Sequence, residues 1–314
     1  MNPPARVLLV RGGALGDLLL LRRAVASLRA VGTTVGLLAP PAAEILLGDG
    51  PADVQEWIPW DHPDLRHLFA GEPSLPESLG ESLRSYDAAV VYTANEGLVS
   101  SLRAFVHTVL SVDPARLGLG LHSSVAFTAP SLALGGAPLV EPPLLRPRPQ
   151  EEQAVLPLLQ KLPRRFLAVH PGSGSPRKNW PAACFAALVH ELTGDSPFLV
   201  VQGPADEEAV AGLLVRPSAV VASGLPLRVL GALLSRAGLY VGNDSGVSHL
   251  AAASGAPTLA LFGPTSSEMW APVGPRVACL QAPEGALERL ERETVARRAK
   301  DALRSWALPG PPSG

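Results

Sequence analysis

The sequence predicts two doubly wound α/β domains, and three observations carry that prediction. Short apolar runs alternate with amphipathic ones along almost all of the 314 residues, as parallel strands alternate with the helices that cover them. Several runs are apolar throughout, as strands buried on both faces are. A proline-rich stretch, "PLVEPPLLRPRPQ" from Pro138 to Gln150, divides the series in two, because proline supplies no ladder donor and does not continue a helix.

Taken in order, "RVLLV" (6–10) predicts the first strand, and "GALGDLLLLRRAVASLRA" (13–30) predicts a loop running into an amphipathic helix. "TVGLLAP" and "DAAVVYT" are further strands, with "PSLPESLGESL" near residue 75 a polar, proline-punctuated loop between them. Beyond the break, "FLAVH", "FLVVQG", "AVVAS", "LYVGN" and "PTLALFG" repeat the pattern. Between Glu284 and Leu308, the residues Leu287, Leu290, Val295, Ala299, Leu303 and Trp306 recur at near-helical spacing among charges. That predicts an amphipathic C-terminal helix lying on a domain face. The domains expected are 1–140 and 151–285, with 286–314 as helix and tail.

Composition narrows the class. An apolar content of 47% suffices for two cores, and 26 basic against 28 acidic residues give a net charge of −2, which makes no case for nucleic acid. Cys184 and Cys279 lie in apolar surroundings without C-x-x-C spacing, as buried thiols of a reducing compartment do. No apolar run approaches the roughly 18 residues of a membrane span, and the start has no signal-peptide pattern, so a cytoplasmic protein is expected. Arginine carries nearly all positive charge, which singles out the three lysines, Lys161, Lys178 and Lys300.

Three stretches carry chemistry. In the first, a dinucleotide fingerprint would need G-x-G-x-x-G, but Arg11 holds the first glycine's place and only Gly13 and Gly16 are in register. The second strand, ending "GLLAP", also lacks the acidic residue that would bind an adenosine ribose. Asp17 is then either a first-turn carboxylate stabilised by the helix dipole or a base. In the second stretch, "LAVHPGSGSPRKNWP", His170 ends a strand, and Gly172 and Gly174 let backbone amides approach phosphate oxygens. Ser173 and Lys178 follow, the latter a point charge; an ordinary turn with a solvated lysine is the competing reading. The third, "YVGNDSGVSHLAAASGAP", runs from a strand through Asp244 and Ser245, candidate N-caps, into a small-residue helix starting at Gly246. Free amides at that helix start, with Ser245, Ser248 and His249, form an anion site. A capped core helix explains Asp244 and Ser245, but not why Ser248 and His249 interrupt an apolar segment.

Other chemistries lack their residues. There is no G-x-S-x-G, no Walker A loop, no second histidine after "HELTG" and no D-x-D to hold a divalent ion. Phosphate chemistry here would rest on lysine, backbone amides and a helix end.

In order and at suitable separations, "GALGD" (13–17), "HPGSGSPRKNWP" (170–181) and "GNDSGVSHLAAASGAPTLALFGPT" (242–265) resemble the bacterial ADP-heptose heptosyltransferases, which build the inner core of lipopolysaccharide. The resemblance spans most of the chain. It implies a GT-B glycosyltransferase: two Rossmann-like domains facing a cleft, inverting and metal-independent, without a cofactor. The donor, an ADP-linked heptose, would lie in the C-terminal half, and the acceptor, a glycan or lipid-linked core hydroxyl, in the N-terminal half. Lipid linkage would bring peripheral contact with the inner face of the membrane.

Residue by residue, the resemblance puts the base on Asp17 and the lysine that stabilises the leaving group on Lys178. Gly13 and Gly16 fall on the acceptor side. His170, Gly172, Ser173, Asp244, Ser245, Gly246, Ser248 and His249 fall around the donor diphosphate, with Glu207 near the ribose and Gln202 near the base. This chain departs from many relatives at "VVYTANEGLVSSLRAF", where they carry an aspartate at the strand end. A nucleotide-sugar epimerase of the same architecture, with carboxylates around the sugar, and a non-catalytic nucleotide-sugar-binding protein are the rival readings.

Overall fold

The computed structural model describes residues 3–72, 74–116, 120–139 and 141–306. It divides into two compact units between Pro143 and Leu144, each built on one all-parallel sheet. In the first unit the strands are β1 (Arg6–Arg11), β2 (Thr34–Ala39), β3 (Glu56–Pro59), β4 (Ala88–Tyr92) and β5 (Thr108–Val112), in the order β3-β2-β1-β4-β5. In the second they are β6 (Leu167–His170), β7 (Phe198–Gln202), β8 (Ala219–Ser223), β9 (Leu239–Asn243), β10 (Thr258–Phe262) and β11 (Val277–Gln281), in the order β11-β10-β9-β6-β7-β8.

Both sheets are doubly wound. The order reverses between β1 and β4 in one and between β6 and β9 in the other, and it is outside the carboxyl ends of strands at such switch points that ligands bind in open α/β sheets. At the switch points β4, β6 and β9 are buried along their whole length and β1 in all but Arg6, as strands covered on both faces must be. Alternation then sorts the side chains by face. Leu8 and Val10 of β1 and Ala89 and Val91 of β4 share a cluster with Leu98 and Leu102 of the helix Glu96–Leu102.

The structure differs from the sequence reading in three places. Edge strands β3, β5 and β11 were not among the expected strands; they are short and largely half-buried, so their apolar signal is diluted. The stretch expected to be a loop near residue 75 contains the helix Glu77–Arg84, with Pro76 at its N-cap and Leu83 buried beneath it. Proline before the first turn starts a helix rather than breaking one. The C-terminal helix begins at Arg292, not near Glu284, and runs to Ser305. Leu287 lies instead in a short 3₁₀ turn, and Leu290 after it is extended. Both join Val295, Ala296, Ala299 and Ala302 in the core of the second unit. Leu308 lies outside the described residues.

No helix among the described residues is long and apolar enough to cross a membrane. Both cysteines are free, and burial pushes the Cys279 thiol up to about 12, which leaves it an inert, protonated packing group.

One glycine tests the packing of the first sheet. A Cβ on Gly36 of β2 would overlap the Tyr86 hydroxyl, which donates to Glu56 Oε2 at 2.6 Å from a 3% exposed residue. Gly36→Ala is expected to displace that ring and cost about 1–3 kcal/mol. Urea unfolding checks this, and an unchanged midpoint would show that the ring is free to move.

Candidate functional site

In the second unit, the loops after β6 and β9 meet at the switch point. His170, the last residue of β6, is buried between two partners: its Nε2 lies 2.8 Å from Asp206 Oδ2 and its Nδ1 lies 3.2 Å from Ser245 Oγ. The hydrogen bond from His170 holds the Asp206 carboxyl below the usual carboxylate range, helped by the Gly203 amide at 2.6 Å and opposed by burial. Asp206 is therefore ionised and accepts from both groups. Ser245 is the N-cap residue of the helix Gly246–Ala253, but its hydroxyl caps nothing; it is turned toward His170.

Lys178 is neither a solvated lysine nor a free cation. Its Nζ donates to Asp244 Oδ2 at 2.8 Å, and Thr265 Oγ1 donates to the same oxygen. Asp244 is accordingly not a cap and does not face an anion itself: its carboxylate holds the lysine. On its Thr265 side the loop borders an open cavity of about 850 Å³, lined by Arg177, Ser266, Glu268 and Gln281 among others.

Ser248 does not face the anion site that the sequence predicts for it. It is fully buried, and its hydroxyl donates to the Asn243 carbonyl while accepting from the Tyr240 phenol at 3.1 Å. Burial pushes that phenol above its usual range and keeps it a donor. One turn into the helix, Ser248 thus faces the sheet and binds the strand end, leaving no hydroxyl for a diphosphate. His249 beside it is also buried.

Gly172 has a different reason from the one expected. A Cβ there would overlap the Asp206 carboxylate, so the glycine makes room for an internal acid rather than for a ligand. Gly174 faces open space. Ser173 Oγ donates to the Ser175 carbonyl and closes the turn. Gln202 ends β7 half-buried, and Glu207 is exposed in the first turn of Glu207–Leu214; of the acids at 206 to 208, the structure brings Asp206 to the His170 cluster.

Asn243 was missed. Its buried side chain accepts from the Trp180 amide at 3.0 Å and donates to the Pro171 carbonyl at 2.6 Å. A polar amide closing an otherwise apolar strand was the available signal.

In the first unit, the β1 loop lies at the other switch point. Asp17 sits in the first turn of the helix Leu15–Leu20, where Oδ2 accepts from the Ala14 amide at 3.1 Å and Oδ1 from Arg11 Nη2 at 2.6 Å. Both readings of Asp17 thus have a basis: it closes the helix start, and it is held by a second group. Gly13 has φ +130°, and a Cβ there would come within 2.7 Å of Asp17 Oδ2. Gly16 is half-buried in the same first turn.

No group of three or more His, Cys, Asp or Glu among the described residues could hold a metal ion. Two Rossmann-like units with polar clusters at the carboxyl ends of their central strands define the GT-B class. The family model for glycosyltransferase family 9 (heptosyltransferase) matches residues 141–300, and the chain belongs to that family.

Lipopolysaccharide heptosyltransferase 3 of Escherichia coli is 28% identical over 116 residues, 35% of this chain. The matched stretch spans about a third of that curated relative's length, 34%. Two solved structures share the fold. E. coli ADP-heptose lps heptosyltransferase II gives a TM-score of 0.75 at 21% identity, covering 96% of this chain and 100% of that one. E. coli heptosyltransferase WaaC with ADP gives 0.73 at 18%, covering 95% and 99%.

The Asp206–His170 pair generates a pH-dependent expectation. A carboxyl whose folded pKa lies below the unfolded value of about 3.9 stabilises fully above that value and loses its contribution as pH falls through the folded pKa. Asp206→Asn is expected to cost about 1–3 kcal/mol at neutral pH, with a deficit that shrinks below about pH 4. Thermal melts of both proteins from pH 7 to pH 3 measure this; a deficit constant over that range would mean that the carboxylate charge contributes nothing.

Proposed function

We propose that this protein transfers heptose from ADP-heptose to a hydroxyl of the lipopolysaccharide core, with inversion and without a metal. What supports the reading most is that the motifs resembling the heptosyltransferases fall at both topological switch points, with a carboxylate at one and a lysine and a helix start at the other. Relatives of known fold carry the ADP-heptose and ADP names. The same reading makes it a cytoplasmic enzyme that meets a lipid-linked acceptor at the membrane surface.

In this mechanism the second unit holds the donor. The amides of Gly246 and Val247 face the diphosphate, as a helix start does for anions, and Ser245 adds a hydroxyl. Lys178, held by Asp244, supplies positive charge to the departing ADP in place of a metal. Gln202 at the end of β7 and Glu207 in the helix that follows are the residues that the resemblance assigns to the base and the ribose. Asp17 takes the acceptor proton as the new bond to the anomeric carbon forms on the face opposite the ADP. The base needs the proton only late, as the nucleophile loses it.

The experiment is turnover of ADP-heptose with a core oligosaccharide acceptor, with and without EDTA. Transfer is expected in both, with ADP as the second product. Asp17→Asn should leave ADP-heptose affinity near the parent value and lower turnover by about 10²–10⁴; near-normal turnover would return Asp17 to its helix-closing role. Lys178→Ala should weaken ADP binding by about 1.5–3 kcal/mol, read by calorimetry, and equal affinity would limit the lysine to pairing with Asp244.

A further inference from the structure

We infer that Arg11 is a positioning residue that fixes the Asp17 carboxylate for proton transfer; the inference rests on the base role proposed for Asp17. In a dinucleotide-binding sheet this position is a glycine, the one that allows the tight turn after the strand. Here a long cation fills it. The Arg11 side chain is 9% exposed, and its Nη2 meets Asp17 Oδ1 at 2.6 Å. Its guanidinium lies 5.0 Å from the centroid of the Phe127 ring.

That ring is itself fixed. Phe127 is fully buried, packs edge-on to Tyr92 at 5.3 Å and has its carbonyl held by the Tyr92 hydroxyl at 2.6 Å. Tyr92 ends β4, in register with Arg11 at the end of β1. Burial pushes the Tyr92 phenol well above its usual range, so it stays neutral and does not compete with Asp17 for the guanidinium. Strand register, aromatic stack and ion pair form one chain of contacts that ends on the carboxylate.

Stability alone does not account for this arrangement. Arg11 Nε is buried with no hydrogen-bond partner, an unmet donor of the kind that destabilises a fold, and a largely buried ion pair adds little net stability. What the arrangement does achieve is orientation. A carboxylate has about four acceptor positions, and Arg11 and the Ala14 amide occupy two, one on each oxygen. The group is locked in rotation while the remaining positions of a partly exposed side chain stay available to a hydroxyl.

The test is a double-mutant cycle on ADP-heptose turnover with a core oligosaccharide acceptor. Arg11→Gln is expected to lower kcat by about 10–100-fold, the scale on which small misplacements act, with the KM for ADP-heptose within about twofold of the parent value. Arg11→Lys should recover at least about half of that loss on a logarithmic scale, since it restores charge without the planar fork. In the Asp17→Asn background Arg11→Gln should have no further effect, because residues acting as a unit are not additive. Phe127→Leu should give the same signature at smaller size, a readout that does not depend on Arg11→Gln folding. A kcat within twofold of the parent for both Arg11→Gln and Phe127→Leu, losses that multiply with Asp17→Asn, or a change confined to KM would overturn the positioning role while leaving the base role intact. Normal turnover of Asp17→Asn alone would remove both.

Discussion

Between β6 and β9, where the second sheet reverses its order, the side-chain amide of Asn243 ties two loops that are far apart in sequence. It accepts from the Trp180 amide and donates to the Pro171 carbonyl, so both ends of the glycine-rich turn carrying Lys178 are held to the strand that leads into Asp244 and Ser245. Trp180 extends the tie downward, since its indole N–H donates to the Leu290 carbonyl and its ring sits in the core. The amide is fully buried with its oxygen and nitrogen both paired. Polar groups buried in this way rigidify what they join, and losing one partner leaves the other unsatisfied. The placement of Lys178, His170 and the helix start all descend from this tie.

Every charged group in the two clusters enters with an internal partner. Arg11 has Asp17, Lys178 has Asp244, and Asp206 has His170. The clusters are thus held together by the chain's own side chains, which is the form of preorganisation that lowers the cost of charge development in a reaction. An incoming anion meets a lysine already oriented, though one whose charge is partly answered by Asp244.

The sheets were legible because buried parallel strands leave apolar runs that survive inspection one at a time. Of the four edge strands only β8, "AVVAS", was legible; half-burial relaxes the requirement for apolar residues in the others, as in "EWIP" and "TVLSV". The helix at Glu77–Arg84 was hidden by the prolines before it and by its serines, although Leu75, Leu79 and Leu83 lie at four-residue spacing. At the site, the motifs located the loops but not the partners within them. Nothing in "QGPADEE" tells which acid turns inward; the outcome is decided by space, since Gly172 and Gly203 leave room only where Asp206 lies. Likewise Ser248 carries a polar label that reads as a ligand, whereas one helical turn places it against the sheet.

That room beside Asp206 has a consequence for how this sequence can drift. A side chain at position 172 and a carboxylate at position 206 occupy the same volume, so neither position is free to change alone. A lineage that acquires alanine at 172 must shorten 206, and His170 then loses the acceptor on its Nε2. Positions 170, 172 and 206 form a linked set, and among divergent members of the family they should vary together or not at all, whatever the pressures on the ligand itself.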